Sequence, residues 1–318
     1  MKIVKAGYEI IDPFSGEEVL KKIERVARVC YKSEDKIGEG TAERMVKALV
    51  KSEHYAMLEH GSIIMVTSAI GYNHLIHLLS VIRSNEGTAP FIRYTPMEYS
   101  CRYMVSGNIR AWLELMRLCM KYDLPISRDL LSILKQDKYK VIFEGISVNE
   151  TAGKWWEVDP KDLSDREKLT HLDLSVKFTV DRGVSHEIVR HRVASFAQES
   201  TRYCNYGKSG DVTFIRPCFF NDDTPEMDNW AESCMCAERM YLALLEAGRT
   251  PQEARAVLPN SLKTEVVMTA SCREWIHFFN LRAVGTTGKP HPQMQEVAIP
   301  LLQDVKQIIP VVFDNITI

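Results

Sequence analysis

Two kinds of hydrophobic period follow one another along this chain in no regular order. Apolar and polar residues alternate over 172–180, which predicts a half-buried strand. Over 19–30 the apolar residues instead recur at the spacing of a helix face. The sequence shows no regular β-α alternation and no Gly-x-Gly-x-x-Gly or Walker loop. We therefore predict an α+β fold, a mixed sheet with flanking helices, and find no support for a Rossmann or P-loop domain.

Capping residues and hydrophobic periods predict where further helices, strands and loops lie along the chain. Ser15 followed by Glu18 has the form of a capping box and predicts a helix start, and Thr250-Pro251 predicts another. The polar stretch 145–170 is predicted to be a surface loop. Further strands are predicted over 2–11, 62–68, 264–270 and 310–318. Further helices are predicted from Thr41 and over 72–83, 108–121, 127–136, 184–191, 226–247, 272–282 and 292–308.

Charge and cysteine usage exclude several classes of protein. The chain has 40 Lys and Arg against 42 Asp and Glu, a formal net charge of −2, whereas a dedicated nucleic-acid binder usually has a basic excess. The eight cysteines form no C-x-x-C pair, so neither structural zinc nor a disulfide framework is expected. No apolar run suits a signal peptide or a bilayer span. We expect a cytoplasmic protein with no membrane or nucleic-acid partner.

Short stretches of the sequence recur in the same order. The matching pairs are 67–76 with 179–188, 100–103 with 200–203, and 106–112 with 269–275. Both copies are predicted to run strand, helix, loop. One hypothesis is a degenerate internal duplication, in which 62–112 is the copy that lost the chemistry. The alternative is coincidence among short matches, and a structure in which the two strand–helix units do not superpose would support it.

The densest set of ligand-binding side chains lies over 189–203, where basic residues are followed by an amide, hydroxyls and a further Arg. An Arg fork fits phosphate and carboxylate oxygens in bidentate fashion. Each charge-assisted hydrogen bond contributes about 1.5–3 kcal/mol net, so several around one anion can hold a phosphorylated ligand or a dinucleotide. Gln and Ser side chains can read a base edge. Composition alone equally allows a solvated, charged helix end that binds nothing.

The fixed pattern Arg-His-Arg, seven residues and Ser is the motif of flavin-dependent thymidylate synthases, and this chain has it as Arg190-His191-Arg192 and Ser200. Three further stretches are similar to segments of that family: 54–60, 253–259 and 273–283. The resemblance covers 1–68 and 172–318 within a single catalytic domain of residues 1–318. The stretch of about 69–171 exceeds what the family usually carries, and we interpret it as an insertion.

The resemblance implies an enzyme that converts dUMP to dTMP. The carbon donor would be 5,10-methylenetetrahydrofolate, the hydride carrier FAD and the reductant NAD(P)H. The cofactor performs the difficult chemistry, while the protein supplies orientation and electrostatics, so no protein nucleophile is needed. The resemblance also implies a homo-oligomer, a tetramer whose active sites are shared between subunits.

The resemblance further implies which residues form the site. The catalytic residue would be Arg282, which would stabilise negative charge on the uracil ring. Arg255 would bind the dUMP phosphate from a neighbouring subunit. The full set implied for dUMP is Glu187, Arg190, Gln198, Glu199, Ser200, Thr201, Arg202, Arg255 and Arg282. The set implied for FAD is His54, Ala56, Arg190, His191, Arg192, Gln198, Ser271, Cys272, Arg273 and His277.

Two of these positions depart from the family pattern. Ala56 stands where the family usually has Ser or Thr, so only a backbone contact to FAD is expected there. Glu187 stands where the family usually has Gln. A carboxylate donates no hydrogen bond unless it is protonated, so the amide's donor contact to the nucleotide is lost at Glu187.

Other readings of the sequence remain open. His54 and His60 lack the spacing of helical metal ligands, and no metal is expected. Cys218 follows Pro217, as the nucleophile does in the unrelated folate-only thymidylate synthases, but nothing else of that pattern is present. A non-catalytic flavin- or nucleotide-binding relative is a further alternative. So is an RNA-binding protein, although the net charge speaks against it.

Overall fold

The computed structural model describes residues 1–209 and 211–318 and combines helices with several sheets, which confirms the α+β class. The strands are β1 (Lys2–Val4), β2 (Gly7–Ile11), β3 (Ser62–Ser68), β4 (Ile92–Pro96), β5 (Arg102–Asn108), β6 (Ile126–Ser127), β7 (Glu150–Thr151), β8 (Trp155–Glu157), β9 (Asp173–Asp181), β10 (Ser195–Gln198), β11 (Thr213–Ile215) and β12 (Lys263–Ser271).

The α-helices are α1 (Val19–Val29), α2 (Thr41–Lys51), α3 (Ala69–Glu86), α4 (Ile109–Lys121), α5 (Arg128–Leu134), α6 (Asp165–His171), α7 (Arg182–Ile188), α8 (Pro225–Glu246), α9 (Pro251–Ala254), α10 (Cys272–Phe279) and α11 (Pro292–Ile308). A π-turn, Asn280–Val284, continues α10. Short 3-10 turns cover Glu34–Lys36, Tyr55–His60, Pro160–Asp162, Tyr206–Ser209 and Arg255–Val257.

Several predicted boundaries are wrong for identifiable reasons. Helix α1 begins at Val19 rather than Ser15, because the Ser15 hydroxyl accepts from the Glu17 N–H instead of capping the helix. The predicted loop 145–170 contains β7, β8 and α6, which begins at a capping box of Ser164 and Glu167. The stretch 310–318 forms turns rather than a strand.

The described part of the chain divides into two compact units. Unit 1 comprises Met1–Asp12, Ala27–Glu34 and Leu174–Ile318, and unit 2 comprises Pro13–Val26 and Asp35–Asp173. The stretch 69–171, which the sequence analysis interprets as an insertion, lies within unit 2. That the whole chain acts as one catalytic domain stays a prediction.

Unit 1 is built on a four-stranded sheet with strand order β10-β12-β9-β2, in which β10 pairs antiparallel with β12 and β2 with β9. A two-stranded parallel ribbon, β1 with β11, completes it. Its core holds the fully buried rings of Phe178, Trp275, Phe278 and Phe279. The Trp275 indole N–H donates to the carbonyl of Leu174 at 3.0 Å, so this ring is satisfied within the core and packs there rather than on the surface.

Unit 2 is built on a second sheet with strand order β4-β5-β3-β8, antiparallel throughout. Trp112 is fully buried and its indole N–H donates to the Gly107 carbonyl at 3.1 Å. The buried His171 ring is held between two hydroxyls, with 2.8 Å from Nδ1 to Ser106 Oγ and 2.8 Å from Nε2 to Thr95 Oγ1. All polar atoms of this imidazole therefore have partners inside the unit.

The same order of elements occurs in both units. Apart from β11, α8 and α9, which lie between β10 and β12, unit 1 runs β9-α7-β10-β12-α10, and unit 2 runs β3-α3-β4-β5-α4, with the strands ordered β10-β12-β9 and β4-β5-β3 in their sheets. The sequence matches of 67–76 with 179–188 and 106–112 with 269–275 fall at corresponding strand-to-helix junctions. The match of 100–103 with 200–203 does not, because it spans the start of β5 in one unit and the loop after β10 in the other.

Each junction is closed by a side chain that caps the helix. Asp181 accepts from the Val184 N–H at the start of α7, and Ser271 accepts from the Glu274 N–H at the start of α10. Ser68 and Asn108 do the same for α3 and α4. Such caps satisfy backbone donors that the first helical turn leaves free, which is why each helix begins directly where its strand ends.

Among the helices of residues 1–209 and 211–318, none is both long and apolar enough to cross a bilayer.

Candidate functional site

Arg282, in the π-turn that follows α10, contacts Glu187 and His191, and the sequence predicted all three as site residues. The Arg282 Nε donates to His191 Nε2 at 3.0 Å, and Nη1 donates to Glu187 Oε2 at 2.6 Å. A longer bond of 3.4 Å runs from Nη2 to the backbone carbonyl of Glu187. The structure thus joins the predicted catalytic residue to the end of α7 and to the central residue of the Arg-His-Arg motif.

His191 is the buried member of that motif, with 5% of its surface exposed. Burial, and to a smaller extent the charges of Arg282 and His277, together lower the pKa of His191 to about 4. The ring is therefore neutral near pH 7. Because Nε2 accepts a hydrogen bond from Arg282, the ring proton is assigned to Nδ1.

The Arg-His-Arg segment lies outside α7, because that helix ends before the residue that the sequence predicted. The sequence predicted a helix through residue 191, but α7 stops at Ile188. Arg192 closes the end by donating to the carbonyls of Val189 at 2.8 Å and His191 at 3.0 Å. A cation at a helix C-terminus satisfies orphan carbonyls and interacts favourably with the helix dipole. Arg190 and Arg192 are both exposed.

The residues implied for FAD on α10 adjoin this segment. The Val193 N–H donates to Glu274 Oε2 at 3.2 Å, and the rings of His191 and His277 lie 6.0 Å apart. Arg273 and His277 are exposed and four residues apart, so they share one face of α10. The resemblance assigns these two residues, with Arg190 and Arg192, to FAD, and all four are cationic or hydrogen-bonding donors. Such a set fits the pyrophosphate of a flavin dinucleotide.

Other residues implied for FAD have different surroundings. Cys272 is fully buried in the core, so neither its side chain nor its backbone is exposed, and its contact with FAD stays a prediction. The Ser271 hydroxyl caps α10. His54 and Ala56 belong to unit 2, at the start of the 3-10 turn Tyr55–His60, and their contact with FAD stays a prediction.

The loop after β10 carries most of the residues implied for dUMP. Its backbone is anchored where the Ser200 N–H donates to the Cys30 carbonyl at 3.0 Å. Arg255 donates to Thr201 Oγ1 at 2.9 Å, so this guanidinium already lies against the loop of its own chain. Arg202 is exposed, with its guanidinium 5.4 Å from the centre of the Tyr203 ring. The action of Arg255 in a neighbouring subunit stays a prediction.

Glu199 is buried beneath this loop and its carboxylate has internal partners. It accepts from the Tyr206 hydroxyl at 2.8 Å and from Lys263 at 3.0 Å, and Lys32 lies at 3.4 Å. Burial by itself would lower the pKa of Lys263, but Glu199 and Glu265 outweigh it and raise that pKa. The carboxylate thus fixes the start of the loop. No sequence pattern indicated this cluster, because Lys32 and Lys263 are distant in the chain.

Gln198, implied for both ligands, ties β10 to its neighbours. Its Nε2 donates to Ser185 Oγ on α7 at 2.9 Å and to Thr264 Oγ1 on β12 at 3.3 Å. The amide therefore fixes the position of α7 relative to the sheet, and α7 leads directly into the Arg-His-Arg segment.

Cys218 lies in surroundings that do not activate a thiol. Burial and the neighbouring Glu296 raise the pKa of Cys218, which favours the unreactive thiol over the nucleophilic thiolate. This geometry disfavours the competing cysteine mechanism. In the part of the chain that the structure describes, no three His, Cys, Asp or Glu side chains come together as a metal site.

Comparison with known proteins adds an independent observation. Residues 164–311 match the family model described as "Thymidylate synthase complementing protein". The flavin-dependent thymidylate synthase of Geobacter sulfurreducens is 34% identical over 136 residues, which are 42% of this chain and 56% of that protein. That of Saccharolobus solfataricus is 30% identical over 176 residues, 50% of this chain and 65% of that protein. The chain thus spans about half the length of the curated relatives it matches, rising to 65%.

Among solved structures, the UMP/dUMP methylase PolB from Streptomyces cacaoi, bound with 5-Br dUMP, aligns with 99% of this chain and 96% of its own. The TM-score is 0.43 and the sequence identity 14%, values too low to establish a shared fold.

Proposed function

Residues 164–311 belong to the family of flavin-dependent thymidylate synthases, and on this premise we propose that the chain converts dUMP to dTMP. The carbon donor is 5,10-methylenetetrahydrofolate, FAD is the hydride carrier, and NAD(P)H is the reductant. The observation that carries the proposal is the convergence of Arg282 with Glu187 and His191, residues far apart in sequence that the motif assigns to one site.

The guanidinium of Arg282 supplies the electrostatic part of the reaction. Arginine has five N–H groups, and contacts with Glu187 and His191 use three of them. The remaining two are free to donate to a pyrimidine carbonyl on which negative charge develops. Donors fixed in advance in a partly dry site stabilise such charge better than water does.

The neutral state of His191 supports this assignment. A protonated imidazole could not accept from Arg282 Nε and would repel the guanidinium. Because burial holds the pKa of His191 at about 4, the ring orients Arg282 by hydrogen bonding without competing for the developing anion.

The exposed guanidiniums take the binding roles. Arg255 binds the dUMP phosphate of a neighbouring subunit, and Arg202 belongs to the loop that holds dUMP, while Arg190 and Arg192 contact FAD and Arg190 also contacts dUMP. When bound, FAD would supply the one-carbon and hydride-transfer chemistry, and these residues would hold it. The chain itself binds and orients both ligands and excludes water from the ring.

The proposed oligomeric state and cellular location do not depend on the contacts of Arg282. Tetramerisation with shared active sites rests on the resemblance alone. A cytoplasmic location agrees with eight cysteines that are all free. The common element order of the two units supports an internal duplication in which 62–112 is the copy that lost the chemistry.

Release of tritium from C5 of labelled dUMP tests the proposal directly. Purified protein should release it only with FAD, methylenetetrahydrofolate and reduced nicotinamide all present. Omission of the nicotinamide should stop turnover. Tight binding of FAD and dUMP without any tritium release would instead identify a non-catalytic flavin- and nucleotide-binding relative.

A further inference from the structure

Glu187 is the position where this chain departs from its family in the site, and its contacts give the carboxylate a distinct role. Its Oε2 lies 2.6 Å from Arg282 Nη1, the shortest of the three contacts of Arg282. The side chains are partly buried, with 28% of Glu187 and 20% of Arg282 exposed. Solvent therefore screens this ion pair less than it would a surface pair.

Side chain and backbone of Glu187 act on the guanidinium together. Oε2 takes an N–H of Nη1, and the carbonyl of the same residue takes one of Nη2. Nε is left pointing to His191. A guanidinium held on three nitrogens cannot rotate about its long side chain, whose freedom is otherwise considerable.

A carboxylate serves this purpose better than the amide usual in the family. A hydrogen bond from the guanidinium is charge-assisted with either acceptor, but only the carboxylate adds the attraction of an opposite charge. Because the ion pair carries no net charge, its electrostatic field at the pyrimidine is weaker than that of Arg282 alone. In return, the guanidinium is held more firmly in one orientation. Glu187 therefore exchanges field strength for orientation.

We propose that Glu187 is a positioning residue, which holds the Arg282 guanidinium against His191 so that its two remaining N–H groups face the pyrimidine. This inference rests on the proposed function for its kinetic consequence. The geometric part, that Glu187 keeps Arg282 on His191, stands without it.

The test compares Glu187→Ala and Glu187→Gln with the wild-type protein loaded with FAD. Glu114→Gln serves as the matched control, because Glu114 pairs with Arg110 in unit 2 at the same 2.6 Å. The measured quantities are kcat and KM for dUMP from tritium release, the flavin absorbance spectrum, and the ¹⁵N resonances of the His191 ring.

Glu187→Ala should lower kcat about a hundredfold, the size expected for a misplaced group, while flavin loading is retained. Glu187→Gln keeps the shape and one acceptor and should recover most of that loss. In Glu187→Ala the His191 resonances should move, since the Nε2 acceptor loses its fixed donor. Glu114→Gln should change neither kcat nor these resonances.

Two results would overturn the proposal: a kcat for Glu187→Ala within about threefold of wild type, or His191 resonances unchanged in both variants. If Glu187→Ala fails to fold, Glu187→Gln decides alone, and it must shift the resonances. A wild-type protein without tritium release would refute the proposed function, whereas the His191 resonances would still report whether Glu187 holds Arg282.

Discussion

In unit 1 the helix after the first shared strand stops at Ile188, whereas its counterpart in unit 2 continues from Ala69 to Glu86. The strand pair that follows is also spaced differently. Residues 199–262 separate β10 from β12, but only residues 97–101 separate β4 from β5. Both units thus share one element order. The residues predicted to bind ligands lie where the helix of unit 1 is shorter and where the connection between its strands is longer.

The contrast continues at individual positions. Counting along the 67–76 and 179–188 match, the Arg-His-Arg residues correspond to Leu78-Leu79-Ser80 inside α3. Counting from the matched tryptophans, Arg282 corresponds to Cys119, which is fully buried. Unit 2 therefore has apolar or small residues at the positions that correspond by this count to the charged side chains of unit 1.

The largest expected effects concern what the units share. Trp275→Ala and Trp112→Ala should each lower the free energy of unfolding by about 3–5 kcal/mol, because each removes a fully buried indole. Hydrogen exchange followed by mass spectrometry should show faster exchange in peptides of unit 1 for the first variant and of unit 2 for the second. Equal acceleration in both units for either variant would contradict separate cores.

The next effect should separate the units. Arg282→Ala should lower kcat for tritium release by about 10²–10³-fold, because a donor to the developing charge is lost. Arg110→Ala in unit 2 removes an exposed guanidinium with two carboxylate partners and should leave kcat unchanged. A comparable loss in both variants would mean that unit 2 also takes part in the chemistry.

The two buried histidines give a third comparison. Burial lowers the pKa of both His191 and His171 to about 4, below the unperturbed value of about 6.5. In the unfolded chain both rings take up a proton at a higher pH than in the folded protein. Their contribution to stability is therefore complete above about pH 6.5 and is lost as the pH falls toward 4. Urea unfolding at a series of pH values should show this decline.

Removing the Arg282 side chain should make the pKa values of the two histidines differ. Arg282 lowers the pKa of His191, whereas burial and Arg93 lower that of His171. In Arg282→Ala the pKa of His191, followed by NMR titration, should therefore rise while that of His171 stays the same. An unchanged His191 would show that burial alone determines its protonation.

The smallest expected effects lie at the helix caps. Asp181→Ala and Ser68→Ala should each cost about 1 kcal/mol of stability, since each leaves an N–H of the first helical turn without its partner. Only Asp181→Ala should also raise KM for dUMP, because α7 leads into the Arg-His-Arg segment. Chemical unfolding and tritium release measure the two quantities. An increase in KM for Ser68→Ala would not fit this picture.

The sequence predicted the elements whose period is local and regular. Strand β3 and helix α11 have the bounds that were predicted. Strand β5 was missed because it is central in its sheet: Met104 to Gly107 are all buried, so no polar alternation marks it. The resemblance predicted Arg190, His191 and Arg282 as site residues, two of which, His191 and Arg282, are in contact. It could not show that His191 is buried or that Glu187 pairs with Arg282, because both depend on how distant segments pack.

The π-turn at Asn280–Val284 places a condition on chain length as well as on residue type. Each residue of an α-helix turns the chain by about 100°, and a π-turn accommodates one more residue in the same rise. Loss of a single residue from this segment would let α10 continue as a regular helix. It would also rotate every later side chain of the helix about the helix axis. Homologues should thus vary in composition here far more readily than they gain or lose a residue.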